Sequence, residues 1–504
     1  MLVEPLICGV AFIAVFLIFE WIKLVRRYPP GPFPLPLIGN LHHVLLGRLS
    51  NGGICETMKK WRKEYGDVFT FWLGPIPTVH IADFAIAKEE MITNGASYVS
   101  RYTPYMLDVK REGRGTAFSS GDYWADHRRF SLRTLRNFGL GSNVVEERIM
   151  DEFNYHFSKL EKTMINGQVK VNAGKFFDIL TGSVINRMIF SERFTDENAE
   201  EFFRLKREID DTFVRLNAFD FALEKWTMNL PLIKQRWKTM TAPQEKLVNF
   251  IDKRVAQRKQ DIATGKHHIE EDGHDFVDAY ILKVESDRKE GVDSSRMYKE
   301  DGLIYDAFDL WIAGHETTSL TMLWGFSYLI QNPDVVTKIR NELNAVTNGN
   351  RNIALTDKNY TPYMNWAILE IQRLASILNL NLWRKTEKDC IVGGCNVPRG
   401  TAITAELSLI MSDEKYFENP EKFDPDRYER GGKALEQRVI PFGLGKRACI
   451  GESLAKAEIY LVLSNMISRY DIMEDPETPI NTATTTPDGM MRRANNYNMI
   501  LKMH

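Results

Sequence analysis

Cysteine is scarce in this chain. Among 504 residues there are five, Cys8, Cys55, Cys390, Cys395 and Cys449, odd in number and scattered; this excludes a disulfide framework and fits a reducing compartment. Cys390 and Cys395 flank Gly393-Gly394 in what reads as a hairpin, and their spacing is not that of a zinc site. Charge of one sign is also lacking: 65 Lys and Arg stand against 67 Asp and Glu, so no global field argues for a nucleic-acid partner. No repeat, low-complexity segment or internal linker divides the body. Strand signals are few. Val68 to Leu73 and Thr78 to Ile81 read as two strands around Gly74-Pro75. From about Ala85 helical periodicity dominates, with only short strand candidates before residue 390. The expectation is a mainly α single domain with a smaller β region.

Only one long apolar run occurs. Residues 5 to 25 are apolar apart from Glu20 and Lys23, and as a helix they reach roughly 30 Å, one bilayer core. A cleaved signal peptide is the competing reading; Glu4 in place of a leading positive charge, and no small-x-small site downstream, favour an uncleaved anchor. Lys23, Arg26 and Arg27 follow the run, which leaves the bulk of the chain cytoplasmic. Pro29 to Asn40 holds five prolines and reads as a stiff extended strut. The expected organisation is a transmembrane anchor over 1–28, a proline-rich hinge over 29–40 and a catalytic domain over 41–504.

The stretch that organises the chain is Pro-Phe-Gly-Leu-Gly-Lys-Arg-Ala-Cys-Ile-Gly, Pro441 to Gly451. Cys449 lies just ahead of a helix start with acids in its first turn, where the positive helix end and converging N–H donors favour thiolate. Gly443, Gly445 and Gly451 lack the Cβ atoms that would hold backbone away from a flat ligand. The spacing Phe442-x-x-Gly445-x-Arg447-x-Cys449-x-Gly451 resembles the signature of the cytochrome P450 family at every fixed position. Further segments share that resemblance in the same order. Trp124-x-x-x-Arg128 puts an indole and a guanidinium on one helical face. Ala313-Gly314-His315-Glu316-Thr317-Thr318 interrupts a long helical pattern, and Thr317 can bond back to the preceding turn and open a bulge. His315, at the variable position, is expected to face outward. Glu370-x-x-Arg373 is followed by Pro420-x-x-Phe423-x-Pro425-x-Arg427. Where many microsomal members carry Pro-His, this chain has Leu382-Trp383-Arg384; Leu378, Leu380 and Leu382 alternate with polar residues as in a half-buried strand.

The resemblance, closest to nematode and other animal microsomal members, implies haem b held by Cys449, with Trp124, Arg128, Arg384, Phe442 and Arg447 around it and the propionates met by the cationic groups. It implies that Thr317 and Glu316 carry protons to dioxygen. It implies that Glu370, Arg373 and Arg427 form a buried charge network behind the cysteine loop. The reaction implied is monooxygenation of a lipophilic substrate, a fatty acid or xenobiotic with steroids still open; NADPH-cytochrome P450 reductase would supply electrons and cytochrome b5 is a further donor, at the endoplasmic reticulum membrane. Arg129, Arg133, Arg136 and Lys446 form a candidate basic docking patch. Phe118, Leu310, Ala313, Leu380 and Leu382 are candidate pocket residues, with Tyr105 and Arg215 as polar anchors. A haem-thiolate isomerase or dehydratase and a haem sensor are the rival functions. The charged stretch Lys266 to His274 reads as a solvated loop.

Overall fold

Alternation of apolar and polar residues ends near residue 82 and a period of three to four replaces it. The structure, a computed structural model that describes residues 3–49, 53–138, 143–270, 273–292 and 298–504, follows that change. Helices α1 (Val3–Val25), α2 (Leu41–Leu49) and α3 (Gly53–Tyr65) precede the hairpin of β1 (Val68–Leu73) and β2 (Ile76–Ile81). A helical body follows: α4 (Gly121–Asn137), then strand β3 (Gln168–Asn172), α5 (Ala173–Phe190), α6 (Ala199–Arg215), α7 (Ala218–Phe221) and α8 (Pro231–Ala263). Next come α9 (Glu300–Gln331), α10 (Pro362–Ala375) and the strands β4 (Arg384–Lys385), β5 (Cys390–Val392), β6 (Cys395–Val397) and β7 (Ala402–Ala405). The chain closes with α11 (Glu452–Arg469), β8 (Tyr470–Glu474) and β9 (Asn498–Met503); further helices complete the same body.

Helix α9 is the spine. Apolar residues surround most of its circumference, as suits a helix buried on several sides, and Phe308, Trp311, Met322, Trp324 and Phe326 are buried. It crosses α5 at Gly314, where a Cβ would stand 2.7 Å from Ile185 Cδ1. The room expected beside this glycine is therefore filled by α5. Neighbouring Ala313 is exposed, although it lies midway along a helix that is otherwise mostly buried.

The main sheet has the order β1-β2-β7-β4. β1 and β2 are antiparallel, with Val68 opposite Ile81; β7 joins β2 in parallel and β4 joins β7 antiparallel, setting Arg384 opposite Ile403. β3, β9 and β8 make a second sheet, and β5 with β6 the small hairpin around Gly393-Gly394. The strand expected over Leu378–Leu382 does not form. Asn379 and Asn381, which were to face solvent, turn inward: Asn379 Nδ2 donates to the Gly489 carbonyl at 2.8 Å, and Asn381 Oδ1 lies where a Gly443 Cβ would meet it at 2.5 Å. Regular pairing begins only at Arg384.

The proline segment is fastened along β1. Thr70 donates from Oγ1 to Pro29 O (2.8 Å) and from N to Pro30 O (2.9 Å), while Asn40 and Trp72 exchange hydrogen bonds at 2.8 Å. Gly31 is required there, because a Cβ would lie 2.2 Å from the Thr70 carbonyl. Upstream, Ile7–Val25 is long and apolar enough to cross a membrane, and none of it is buried in the body.

Candidate active site

The Cys449 loop is shaped by two left-handed glycines. Gly445 (φ +70°) passes so close to the Met91 carbonyl that a Cβ would stand 1.7 Å from it, and Gly443 (φ +73°) packs on Asn381. Their smallness thus serves contacts within the protein, and a Cβ on Gly451 would meet nothing within 4 Å. The loop closes through Cys449 N donating to the Phe442 carbonyl at 2.9 Å, and the half-buried Phe442 ring faces Lys456 Nζ at 5.4 Å. Burial raises the Cys449 thiol, a hydrogen bond from Gly451 N–H and the charge of Arg128 lower it, Glu452 raises it, and the net direction is upward. The helix-start argument is therefore outweighed by desolvation; a metal ion, which deprotonates a coordinating thiol outright, would override it.

Around this loop lie four guanidinium groups with no carboxylate partner among the described residues: Arg101, Arg128, Arg384 and Arg447. Arg128 Nη2 donates to the Ala448 carbonyl (2.7 Å), Arg384 Nη2 to the Leu444 carbonyl, and Arg447 to the Val99 and Ser119 carbonyls (2.7 and 2.6 Å). Arg101 donates to the Ala117 and Leu382 carbonyls at 3.0 and 2.6 Å and bridges to Arg384 through the backbone. The indole of Trp124 lies 3.7 Å beneath the Arg447 guanidinium. Trp124 Nε1, Arg384 Nε and Nη1, and Arg447 Nη1 are buried without a hydrogen-bond partner. Burial, reinforced by Arg101, Arg128 and Arg384, pushes Arg447 down to about 8; burial and Arg128 push Arg384 down to about 10. So many buried donors and positive charges are costly alone and favourable around a doubly anionic ligand. This donor set fits the two propionates of a haem whose iron is met by Cys449. Arg101 carries no motif, so the sequence offered no signal for it.

On α9, Thr317 Oγ1 donates to the Ala313 carbonyl at 2.8 Å. The helix continues unbroken past this bond, so the expected bulge is absent. Glu316 is buried and paired with Arg493 and with Lys206 Nζ (3.0 Å). His315, expected to face outward, is 1% exposed. It packs between Phe202 and Trp311, with Nε2 3.6 Å from Asp178; in a helix buried on several sides the variable position has no solvent to face.

The remaining site residues fall into groups. Glu370 accepts from Arg373 (2.8 and 2.9 Å) and Arg427 (3.0 Å), and all three are buried. The segment carrying Phe118 is tied to α9: Arg111 pairs with Asp309 at 2.5 Å, Ala117 N donates to Asp309 at 2.9 Å, and Thr116 to Asp306 at 2.7 Å. This sets Phe118 near the half-buried Leu310 and the exposed Ala313 side of the helix. Leu380 lines a cavity of about 50 Å³ with Phe71, Phe221, Trp383 and Met490, whereas Leu382 is half-buried and gives its carbonyl to Arg101. Tyr105 stacks on Trp237, centroids 6.1 Å apart. Arg215 is not a pocket anchor: it lines an outer groove of about 300 Å³ between α6 and α8. Arg129, Arg133, Arg136 and Lys446 are exposed. His267 bonds Asp278 at 2.9 Å, and the described part of the 266–274 stretch holds no metal-ligand group; Glu271 and Asp272 lie outside the described residues.

The family model described as Cytochrome P450 matches residues 29–501. Among curated proteins the chain is 37% identical to probable cytochrome P450 cyp-35D1 of Caenorhabditis elegans, over 91% of this chain and 92% of that one. It is 32% identical to cytochrome P450 2C70 of Rattus norvegicus (92% and 91% covered) and 29% identical to cytochrome P450 2U1 of Homo sapiens (95% and 90%). With a haem-thiolate cofactor implied by that match and a cysteine loop flanked by unneutralised arginines, the chain belongs to the cytochrome P450 family.

Proposed function

We propose that this enzyme is a monooxygenase with haem b held by Cys449, acting on a lipophilic fatty acid or xenobiotic with electrons relayed from NADPH by a reductase. The observation that carries the reading is the cluster of four buried or half-buried guanidiniums facing the cysteine loop without a carboxylate among the described residues. When bound, the haem iron supplies dioxygen activation, favoured by the electron density that thiolate donates. The chain's own residues do the rest. Trp124, Arg384 and Arg447 offer their unpaired donors to the propionates, and Arg101 and Arg128 add positive charge. Thr317, its hydrogen committed to the Ala313 carbonyl, presents its lone pairs as acceptors to a water or a protonated oxygen. Phe118, Leu310 and Ala313 give the pocket apolar walls, which favours a lipophilic substrate.

The same reading assigns residues 1–28 to a transmembrane anchor, 29–40 to a hinge and 41–504 to the catalytic domain, with Lys23, Arg26 and Arg27 keeping that domain on the cytoplasmic face of the endoplasmic reticulum. An apolar surface supports it: Phe33, Leu37, Ile38, Leu45, Phe219 and Trp226 are exposed, and the Leu37 carbonyl and Ala222 both lie within 3.3 Å of a Cβ built on Gly74. Arg129, Arg133, Arg136 and Lys446 would meet the acidic face of the reductase, with cytochrome b5 as a second donor.

The test is the CO complex of the reduced protein. A red-shifted Soret band is expected for the wild type and its loss in Cys449→Ser, with haem still held by the arginines; an unshifted wild-type band overturns the assignment.

A further inference from the structure

Asp178 of α5, Asp210 and Lys206 of α6, Glu316 of α9 and Arg493 from the segment before β9 meet in one cluster. Lys206 Nζ lies 2.5 Å from both Asp210 oxygens, 3.0 Å from Glu316 Oε2 and 3.5 Å from Asp178. Arg493 reaches Glu316 Oε1 with Nη1 and Asp210 Oδ1 with Nη2 at 2.7 Å. Three carboxylates thus face two cations, and the cluster has one negative charge to spare. The Glu316 side chain is 2% exposed and touches solvent only through its partners, whereas the Asp210 side chain is 26% exposed. Arg493 cannot hand a proton on, because a guanidinium does not deprotonate at working pH. An ammonium can.

Resting on the haem-thiolate reading, we propose that Lys206 and Asp210 are positioning residues that reprotonate Glu316 from solvent. One N–H bond of Lys206 breaks as its proton passes to Glu316 Oε2, and the O–H bond of protonated Asp210 breaks as its proton restores the ammonium. Asp210, left as carboxylate, takes the next proton from water. Burial and the Glu316 charge push Asp210 up to about 6, while Lys206 and Arg493 hold Glu316 low against its burial, so the spare proton rests on Asp210. The other groups facing this site are His315 and Asp178, the latter fixed by Ser319 Oγ at 2.5 Å; on the far face of α6, Lys246 of α8 is occupied by Glu208 at 2.7 Å.

The experiment compares full-length, haem-loaded wild type with Asp210→Asn and Asp210→Glu, supplied with reductase and NADPH. Asp210→Asn leaves two carboxylates against two cations, so folding and the red-shifted CO band are retained. A carboxyl raised on folding loses stabilisation as pH rises through its window, so wild-type stability relative to Asp210→Asn falls between about 3.8 and about 6. Product formed per NADPH falls about tenfold in Asp210→Asn, less than the loss of a directly acting acid, and Asp210→Glu restores it. A wild type without the red-shifted band overturns the haem-thiolate reading itself. With that band present, an Asp210→Asn variant with unchanged coupling, or with the wild-type pH slope, overturns the proton path alone.

Discussion

Two arginine clusters flank the cysteine loop and are built on opposite plans. Behind it, Glu370 sits between Arg373 and Arg427 and also accepts from Tyr428 Oη (2.9 Å) and Asp424 N (3.2 Å); the guanidinium N–H groups left over reach the carbonyls of Met411, Pro420, Glu418 and Lys422. In front of it, Arg101, Arg128, Arg384 and Arg447 share no carboxylate among the described residues, and three buried guanidinium nitrogens have no partner. The first cluster is finished by the chain and belongs to the fold. The second is finished only by an anion from outside, which makes it a binding site. Counting carboxylates separates a structural charge network from a cofactor cradle where arginine content does not.

The contrast is broken most severely at its one carboxylate. Glu370→Gln leaves two buried guanidiniums without a counter-charge and should lower stability by about 3–5 kcal/mol, read as a drop in the urea midpoint. Arg384→Leu tests the other cluster with the opposite logic. It removes a buried charge that the protein alone does not neutralise, so secondary structure and folding should be retained, while haem transfers to apomyoglobin about ten- to hundredfold faster, the equivalent of about 1.5–3 kcal/mol for a charge-assisted bond. If Arg384→Leu instead unfolds the protein with haem release unchanged, the two clusters are not different in kind.

Local chemistry decides which of these features the sequence disclosed. Cys449, Trp124, Arg128, Arg447 and the Glu370 triad sit in segments whose spacing alone brings them to notice, and the β1–β2 hairpin follows from alternation around Gly74-Pro75. Residues that converge from distant segments carry no such mark. Arg101 has no motif, and Lys206, Asp210 and Arg493 become a unit only when α6 and the segment before β9 close over α9. Misreadings arose where one rule met a stronger one. Leu378 to Leu382 alternates like a strand, yet the asparagines between the leucines find carbonyl and glycine partners inside. His315 looked outward by position, but α9 is buried around that turn. Helix dipole and N–H donors argued for a low thiol at Cys449, and desolvation outweighs both.

The finest probe of the contrast is Tyr428→Phe. The ring is fully buried and stays in place, so only the hydroxyl bond to Glu370 Oε2 is lost. That oxygen keeps Arg373 Nε at 2.8 Å, hence no buried charge is orphaned. The expected cost is about 1 kcal/mol, that of one hydrogen bond, with haem transfer to apomyoglobin at the wild-type rate. A loss as large as that of Glu370→Gln would mean that the hydroxyl, and not the two guanidiniums, holds the carboxylate; a change in haem release would mean that the network behind the loop also governs the cradle in front of it.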